Sequence, residues 1–260
     1  MLVQSNIENN ILQIKLNRPD KKNAFNPEMI EQITESFVKV NSDNSIRGVY
    51  LTGEGDCFCA GADLAWMKSM VNYSFEDNIK DSEKLHNMFL QGLNCNVPVV
   101  GFFQGYVMGG ATGLVSICDI GIAQKETKFA FSEVKIGLAP AVISPFIFNK
   151  MNQNKANEFM LTGKMFDAEE ALLSGLIDYT GDSSFCQETA TKVLKRINSL
   201  GPEATRETKK LLRKVKKISI DQISSETTKV ISERRMSTEG QEGLSSFFEK
   251  RKPNWIGDKV

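Results

Sequence analysis

The chain has 260 residues, of which 41% are hydrophobic and 25% are charged, as in an ordinary globular protein. Lysine plus arginine and aspartate plus glutamate each number 32, so the zero formal net charge gives no electrostatic reason to expect nucleic acid or a membrane surface as a partner. The five cysteines follow no ligand or disulfide pattern, and the N-terminus lacks the basic and apolar blocks of a signal peptide, so we expect a cytoplasmic protein.

Strands and helices alternate over the first 200 residues, which indicates an α/β domain. Asn26 followed by Pro27 predicts the start of a helix that runs to about Val40. The remaining patterns predict strands at 11–16, 46–52, 97–103, 119–124 and 128–131, and helices at 64–70, 75–93, 154–161, 168–174 and 185–199. From Gly201 onward the chain is charged, helical and free of strand patterns.

The most informative segment is the glycine-rich stretch 105–113, which lies between a predicted strand and a helix start. Glycines there allow backbone N–H groups to approach a ligand with no side chain in the way. A second turn of small residues, 58–63, follows the predicted strand at 46–52. Two N–H groups aimed at one point from these turns would form an oxyanion hole, which indicates chemistry on an acyl group.

Few other residues are candidates for catalysis. The single histidine, His86, lies in a predicted helix away from both turns, so a serine or cysteine triad has no base. Cys57 and Cys59 lack the second ligand pair of a zinc site. Glu133 lies between apolar stretches that would raise its pKa and suit acid–base work, although a structural carboxylate is the alternative. We expect the basic segment 209–217 to be a solvated helix face.

Several stretches, taken in their order and spacing, resemble the crotonase family, the enoyl-CoA hydratases and isomerases. They are a first substrate loop at 17–25, two oxyanion turns at 58–64 and 105–110, a segment with a catalytic glutamate at 131–138, and a C-terminal signature at 240–255. The resemblance implies an α/β crotonase-like spiral of ββα units at 1–200 that holds the acyl-CoA site. It also implies a helical region at 201–260 for oligomerisation and coenzyme A contact, in a homotrimer or a dimer of trimers.

The same resemblance assigns the site residues. It implies oxyanion N–H groups on Ala62 and Gly110 and a catalytic carboxylate on Glu133. Substrate contacts are expected from Ala24 and Ala60 at the adenine end, from Asp63, Leu64 and Gly109, and from Lys250 and Phe247 of a neighbouring subunit. We expect no metal and no separate cofactor, since coenzyme A is part of the substrate.

Two positions depart from the family pattern. Gly113 stands where many hydratases carry a second glutamate, and Ala65 stands where a lysine is usual. Glu133 is then the only acid available, and a glutamate placed at 113 is expected to restore the two-carboxylate arrangement. The run at 138–145, together with 63–67, looks closest to the methylglutaconyl-CoA hydratase-like members of leucine and isoprenoid catabolism.

The expected function is therefore an acyl-CoA lyase that adds water to a 2-enoyl-CoA or removes it, with methylglutaconyl-CoA as a candidate substrate. A double-bond isomerase is the alternative, because one glutamate can move a proton between two carbons. An alternative of another class is a non-catalytic acyl-CoA-binding or assembly protein. Phe247, Phe248 and Trp255 predict a subunit interface, unless they pack on the chain's own core.

Overall fold

The computed structural model describes residues 1–256, which form two sheets. In chain order the strands are β1 (Val3–Glu8), β2 (Ile11–Leu16), β3 (Gly48–Gly53), β4 (Val99–Phe103), β5 (Tyr106–Met108), β6 (Ile120–Gln124), β7 (Lys128–Ala130), β8 (Met165–Asp167) and β9 (Tyr179–Gly181). The main sheet has the order β1, β2, β3, β4, β6, β9, in which only β1 and β2 pair antiparallel. Strands β5, β7 and β8 form the second sheet.

Eleven α-helices lie within the described residues. They are α1 (Pro27–Ser42), α2 (Leu64–Met70), α3 (Phe75–Leu93), α4 (Ala111–Ser116), α5 (Ser144–Lys150), α6 (Gln153–Thr162), α7 (Ala168–Leu173), α8 (Ser183–Ser199), α9 (Pro202–Val215), α10 (Ile220–Met236) and α11 (Thr238–Phe248). The predicted bounds of β2, α2 and α3 are confirmed residue for residue. Strands β1, β5, β8 and β9 and helix α5 are the elements that the sequence pattern does not predict.

The buried residues of each strand explain where that strand lies in the main sheet. All five residues of β4 are buried, as a central parallel strand with both faces covered requires. In β2 the alternate residues Leu12, Ile14 and Leu16 are fully buried. Helix α8 covers one face of the sheet, where Cys186, Ala190 and Ile197 pack against Val100, Phe102 and Ile122. The larger core lies on the other face, under α1 and α3.

Helix α1 begins as its sequence predicts. The Asn26 side chain accepts a hydrogen bond from the Met29 N–H at 2.9 Å, and Pro27 occupies the first turn. Buried residues then recur at the helical spacing, including Ile33, Phe37 and Val40. This stripe fixes the helix on the sheet and sets the direction in which the preceding loop leaves β2.

One side of α9 is buried, which corrects the expectation of a solvated helix face for Lys209 and in part for Arg213, while Lys210, Lys216 and Lys217 of the same segment are exposed as expected. Arg206, Lys209 and Arg213 project from one side of the helix at a spacing of three and four residues. Each donates to a main-chain carbonyl just before β3 or β4: Arg206 to Ile46, Lys209 to Val97 and Arg213 to Cys95. Lys209 also pairs with Asp119. These cations attach the C-terminal helices to the main sheet.

The aromatic residues near the C-terminus divide into two groups. Trp255 is half-buried against its own chain, with its ring over Gly243 and its carbonyl bound by Arg47 at 3.0 Å. For Trp255 the alternative of packing on its own core therefore holds. Phe247 and Phe248 are 77% and 76% exposed, and their interface role remains a prediction. None of the helices within residues 1–256 is long and apolar enough to cross a membrane.

Candidate active site

Three loops that follow the adjacent strands β2, β3 and β4 meet at the carboxyl edge of the main sheet, where ligands of open α/β sheets commonly bind. The Phe25 N–H donates to the Gly61 carbonyl at 2.7 Å, and the Asp63 N–H donates to the Phe25 carbonyl at 2.7 Å. Cys59 exchanges two further bonds of 3.1 Å with β5, in the segment that follows β4, through the Tyr106 carbonyl and the Met108 N–H. Backbone pairing thus joins all three loops into one surface.

Two amides that the sequence analysis did not single out hold these loops together. Asn23 is fully buried at a positive φ of 53°, and its side chain donates to the carbonyls of Glu54 and Cys57 at 2.9 and 2.8 Å. Gln104 donates to the carbonyls of Gly53 and Gly55 at 2.7 and 3.0 Å. Asparagine tolerates the left-handed conformation that a tight loop needs. An asparagine in the charged loop before Phe25 was therefore the sequence signal from which the structural role of Asn23 could have been predicted.

The N–H groups of Ala62 and Gly110 have no acceptor among residues 1–256. The Asp63 N–H and the Gly109 N–H beside them, in contrast, are both bonded. Ala62 lies in the paired segment opposite Phe25, and Gly110 precedes the first residue of α4. Both residues are half-buried. Two such donors without partners are what a bound oxygen atom would require.

Glu133 lies beside the residue that precedes the Gly110 donor. It begins a 3₁₀ turn after β7, and its carboxylate lies over Gly109: a Cβ built on Gly109 would stand 3.3 Å from Glu133 Oε1. Oxygen Oε2 of Glu133 is buried and has no hydrogen-bond partner among the described residues. Burial raises the pKa of this carboxyl, as the apolar sequence around it predicts. Gly109 has a φ of 52° and donates to the Ala130 carbonyl at 2.8 Å, which joins the two segments.

Asp63, in contrast, is fully engaged within the chain. Its carboxylate accepts the N–H groups of Ala65 and Trp66 at 2.7 and 3.0 Å and pairs with Arg18 at 2.6 Å. The hydrogen bond from Trp66, with the contributions of Arg18 and Ala65, holds the pKa of Asp63 below its usual range. This side chain fixes the start of α2 against the first loop, and its expected contact with substrate remains a prediction. Leu64, the next residue, is 82% exposed.

The residues expected at the adenine end also belong to the joined loops. Ala24 is buried, and its carbonyl accepts a bond of 3.2 Å from Arg18. The Ala60 N–H donates to the Lys22 carbonyl at 2.9 Å. The Lys22 ammonium lies 5.5 Å from the centre of the Tyr106 ring. The structure therefore brings Ala24 and Ala60 to one backbone surface with Ala62.

The two residues expected from a neighbouring subunit lie in another part of the chain. Phe247 belongs to the last turn of α11, and Lys250 follows that helix with a φ of 56°. Both side chains are exposed. Their contact with a neighbour's coenzyme A remains a prediction, because it concerns a second subunit.

The histidine and the two cysteines considered in the sequence analysis are poorly suited to catalysis. His86 is exposed on α3, with its ring 5.3 Å from that of Phe146. Cys59 is fully buried, which raises the pKa of its thiol to about 12, and burial also raises the pKa of the Cys57 thiol. Within residues 1–256 no three histidine, cysteine, aspartate or glutamate side chains are grouped so that they could hold a metal ion. Glu133 is left as the candidate for proton transfer.

Phe89 fills the space beside Gly113. A Cβ on Gly113 would lie 2.6 Å from the Phe89 ring and 3.0 Å from Ile143. The ring is fully buried and packs 5.4 Å from that of Phe146. A glutamate at 113 has no room unless this ring moves, so the expectation that Gly113→Glu alone restores a second carboxylate is corrected. The contact joins α3 to α4 and is not visible in the sequence.

Known proteins that are similar to this chain identify its family. The family model described as enoyl-CoA hydratase/isomerase matches residues 6–258. The chain belongs to this family. Its fold is that of crotonase structures with a helical C-terminal region: an enoyl-CoA hydratase from Shewanella pealeana superimposes with a TM-score of 0.93, at 33% identity, over 98% of this chain and 96% of that one.

Two relatives have more specific names. The (E)-benzylidenesuccinyl-CoA hydratase of Thauera aromatica is 27% identical over 99% of this chain and 100% of its own length. The 2,3-dehydroadipyl-CoA hydratase of Escherichia coli is 25% identical over 95% of each chain. The family and the crotonase fold that the sequence motifs predict are thereby confirmed. The methylglutaconyl-CoA hydratase-like subtype remains a prediction.

The lack of room for a side chain at position 113, beside the Phe89 ring, can be tested by a double-mutant cycle. We expect Gly113→Glu to destabilise the fold by about 3 kcal/mol or more, because it overpacks the core and buries a carboxylate without a partner. Phe89→Ala also destabilises it by about 3 kcal/mol. The double variant should be at least about 1 kcal/mol more stable than the sum predicts, since each change relieves the other. Urea unfolding measures all four proteins, and additive effects would contradict the contact.

Proposed function

We propose that the protein adds water to a 2-enoyl-CoA thioester, or removes it from the 3-hydroxyacyl-CoA, at the surface formed by the three loops. The thioester oxygen would bind between the N–H groups of Ala62 and Gly110, and Glu133 would act as general acid and base. The observation that supports this most is made within residues 1–256: a carboxylate with a buried, unpartnered oxygen lies over Gly109, beside the free N–H group of Gly110 and on the loop surface that also presents the free N–H group of Ala62. Membership in a family with hydratase-named relatives supports a water-adding activity on an acyl-CoA.

The chemistry follows from these three groups. As the water oxygen forms its bond to Cβ, Glu133 takes a proton from the water and negative charge moves onto the thioester oxygen. The two N–H groups stabilise that charge, and each such donor contributes about 3 kcal/mol to transition-state stabilisation. A proton returned from Glu133 to Cα completes the addition. Elimination follows the same steps in reverse.

The proposed substrate contacts use the remaining residues of the sequence analysis. Backbone at Ala24 and Ala60 would bind the adenine end, and Asp63, Leu64 and Gly109 would border the thioester. Lys250 and Phe247 would reach the coenzyme A of a neighbouring subunit. Coenzyme A enters as part of the substrate, so no separate cofactor is proposed, and a cytoplasmic location remains our prediction.

A double-bond isomerase is the second candidate. Phe89 occupies the space beside Gly113, and Glu133 is the one carboxylate assigned to the reaction. One carboxylate suffices to take a proton from the α-carbon of a 3-enoyl-CoA and return it to the γ-carbon, which moves the double bond into conjugation with the thioester. Crotonyl-CoA and a 3-enoyl-CoA separate the candidates through the absorbance of the conjugated thioester. Its loss from crotonyl-CoA indicates hydration, its rise from the 3-enoyl-CoA indicates isomerisation, and no change with either supports a non-catalytic acyl-CoA-binding or assembly protein.

The role of Glu133 predicts a defined loss. We expect Glu133→Gln to lower kcat by roughly 100-fold or more while the Kd for the acyl-CoA changes little, because the amide can bond but cannot exchange the proton. Steady-state kinetics and calorimetric titration with a saturated acyl-CoA measure the two effects. The matched control is Glu126→Gln, an exposed glutamate in the turn after β6.

The pH dependence gives a second readout of the same residue. Burial raises the pKa of Glu133 above its ordinary value of 4.5, and hydration needs the ionised form as base. The value of kcat/KM should therefore fall as the pH drops through a pKa above 4.5, and this limb should be missing in Glu133→Gln. A variant that keeps more than about half of the parent kcat would move the chemistry to another group.

We propose that the acyl group carries a distal carboxylate, as in 3-methylglutaconyl-CoA. The resemblance of 138–145 to methylglutaconyl-CoA hydratase-like members supports this. The names of two relatives support it as well, because the acyl groups in those names derive from succinate and adipate. A substrate carboxylate could orient the water that a second protein carboxylate at 113 would otherwise bind. We expect kcat/KM for 3-methylglutaconyl-CoA to exceed that for crotonyl-CoA by at least about 10-fold, or about 1.4 kcal/mol. Equal or better turnover of crotonyl-CoA would contradict the distal carboxylate.

We also propose that the protein assembles as a homotrimer or a dimer of trimers. Large apolar side chains are exposed near the site and at the end of α11: Leu64 (82%), Ile136 (59%), Leu138 (57%), Phe247 (77%) and Phe248 (76%). Light scattering at micromolar concentration should report three or six subunits. The double variant Phe247→Ser, Phe248→Ser should shift the protein toward monomers while its circular dichroism spectrum stays unchanged. A monomeric parent protein would contradict the assembly.

A further inference from the structure

The hydroxyl of Ser132, the residue before Glu133, has no hydrogen-bond partner among residues 1–256. A serine directly before a helical turn commonly accepts a bond from an N–H group of that turn, but Ser132 does not. The Thr112 hydroxyl nearby, in contrast, donates to the Gly109 carbonyl at 2.7 Å. Ser132 therefore leaves both its donor and its acceptor capacity unused.

This hydroxyl faces the same place as the Glu133 carboxylate. A Cβ built on Gly109 would stand 3.8 Å from Ser132 Oγ and 3.3 Å from Glu133 Oε1. Gly109 directly precedes Gly110, whose N–H has no acceptor within the described part of the chain. Both oxygen atoms thus border the space above Gly109, beside one of the two proposed oxyanion donors.

The second sheet fixes this placement. Met108 of β5 pairs with Ala130 of β7, and the next N–H, that of Gly109, donates to the Ala130 carbonyl at 2.8 Å. Phe131, which leads into Ser132, is fully buried with its ring 5.8 Å from that of Phe166. Ser132 and Gly109 therefore follow two paired strands and are held together by them.

The Ser132 oxygen is open to a small ligand. The residue is half-buried, and its Oγ does not belong to the buried oxygen atoms without a partner, in contrast to Glu133 Oε2. The glycine at 109 has no side chain to fill the space in front of it. A water molecule can therefore contact Ser132 Oγ without displacing an internal bond of the protein.

We propose that Ser132 is a further catalytic residue, whose hydroxyl binds the oxygen atom at Cβ, as water before the addition and as the 3-hydroxyl group after it. Resting on the proposed function, the water donates one hydrogen bond to Glu133 Oε1 and the other to Ser132 Oγ, which leaves a lone pair for Cβ. Glu133 takes the proton, and Ser132 keeps its own. A hydroxyl both donates and accepts, so the contact persists when the water becomes the 3-hydroxyl group. Ser132 gives this water a second partner where position 113 holds no carboxylate.

A binding experiment tests the contact without turnover. In Glu133→Gln protein, calorimetry compares 3-hydroxybutyryl-CoA with butyryl-CoA, which differ only in the hydroxyl. We expect Ser132→Ala to lower the preference for the hydroxylated ligand by at least about 5-fold, because it removes one hydrogen bond to that group. The matched control is Ser199→Ala at the end of α8, since Ser199 is also half-buried but bonds the Arg196 carbonyl at 2.8 Å. It should keep the preference.

Kinetics with crotonyl-CoA give a second measurement in protein that keeps Glu133. Ser132→Ala should lower kcat by at least about 5-fold with little change in KM. The fall of kcat/KM at low pH, which Glu133 causes, should stay at the same pH. A hydroxyl that only positioned Glu133 would instead move this fall, because burial determines the pKa of that carboxyl.

The outcomes separate the contact from the reaction. A lower preference, or a lower kcat with the same pH dependence, supports the inference. It is overturned if Ser132→Ala changes neither quantity by about 5-fold, or if kcat falls with a shifted pH dependence and an unchanged preference. A parent protein that leaves crotonyl-CoA unchanged would contradict the proposed reaction, while the preference would still decide the contact. Urea unfolding checks each variant, and Ser132→Cys, which replaces the hydroxyl with a weakly bonding thiol, decides if Ser132→Ala does not fold.

Discussion

The candidate site depends on backbone pairing between loops that follow three adjacent strands. The bonds of Phe25 to Gly61 and Asp63, and of Cys59 to Tyr106 and Met108, make one continuous surface from segments far apart in sequence. One N–H group next to each free donor is bonded: that of Asp63 to the Phe25 carbonyl and that of Gly109 to the Ala130 carbonyl. The pairing of the loops therefore determines which N–H groups remain without an acceptor. A shift of one residue in this pairing would exchange the bonded N–H groups for the free ones.

The polar groups around this surface differ in how completely they are satisfied. The Asp63 carboxylate has three partners and a lowered pKa, so it serves the structure. Glu133 is buried with an unpartnered oxygen and a raised pKa, so its free energy changes when a ligand or a proton arrives. A scaffold that satisfies its structural carboxylate fully and leaves an oxygen of Glu133 open concentrates the cost of desolvation where binding can repay it.

Much of this arrangement could be predicted from the sequence. Local sequence pattern predicts helices α2 and α3 to the residue, and the turns of small residues predict two N–H groups aimed at one point, which the family resemblance assigns to Ala62 and Gly110. The sequence does not predict the three-residue strands β5, β8 and β9, whereas it predicts β7, which is equally short, from the apolar residues at 129–131. Phe89 against Gly113 is a contact between separate helices, which local sequence does not encode. For the same reason the buried role of Lys209 could not be distinguished from that of a solvated lysine.

The attachment of α9 has a consequence for how the protein tolerates mutation. Arg206, Lys209 and Arg213 supply side chains, but their acceptors at Ile46, Val97 and Cys95 are main-chain carbonyls. Any residue type provides a carbonyl, so the acceptor positions can vary within the limits of packing while the three donors cannot. Sequence changes are therefore tolerated on the acceptor side of this contact and not on the donor side. The helical region can therefore be exchanged between homologues as a unit only when it brings its own cations, whatever sequence precedes the receiving strands.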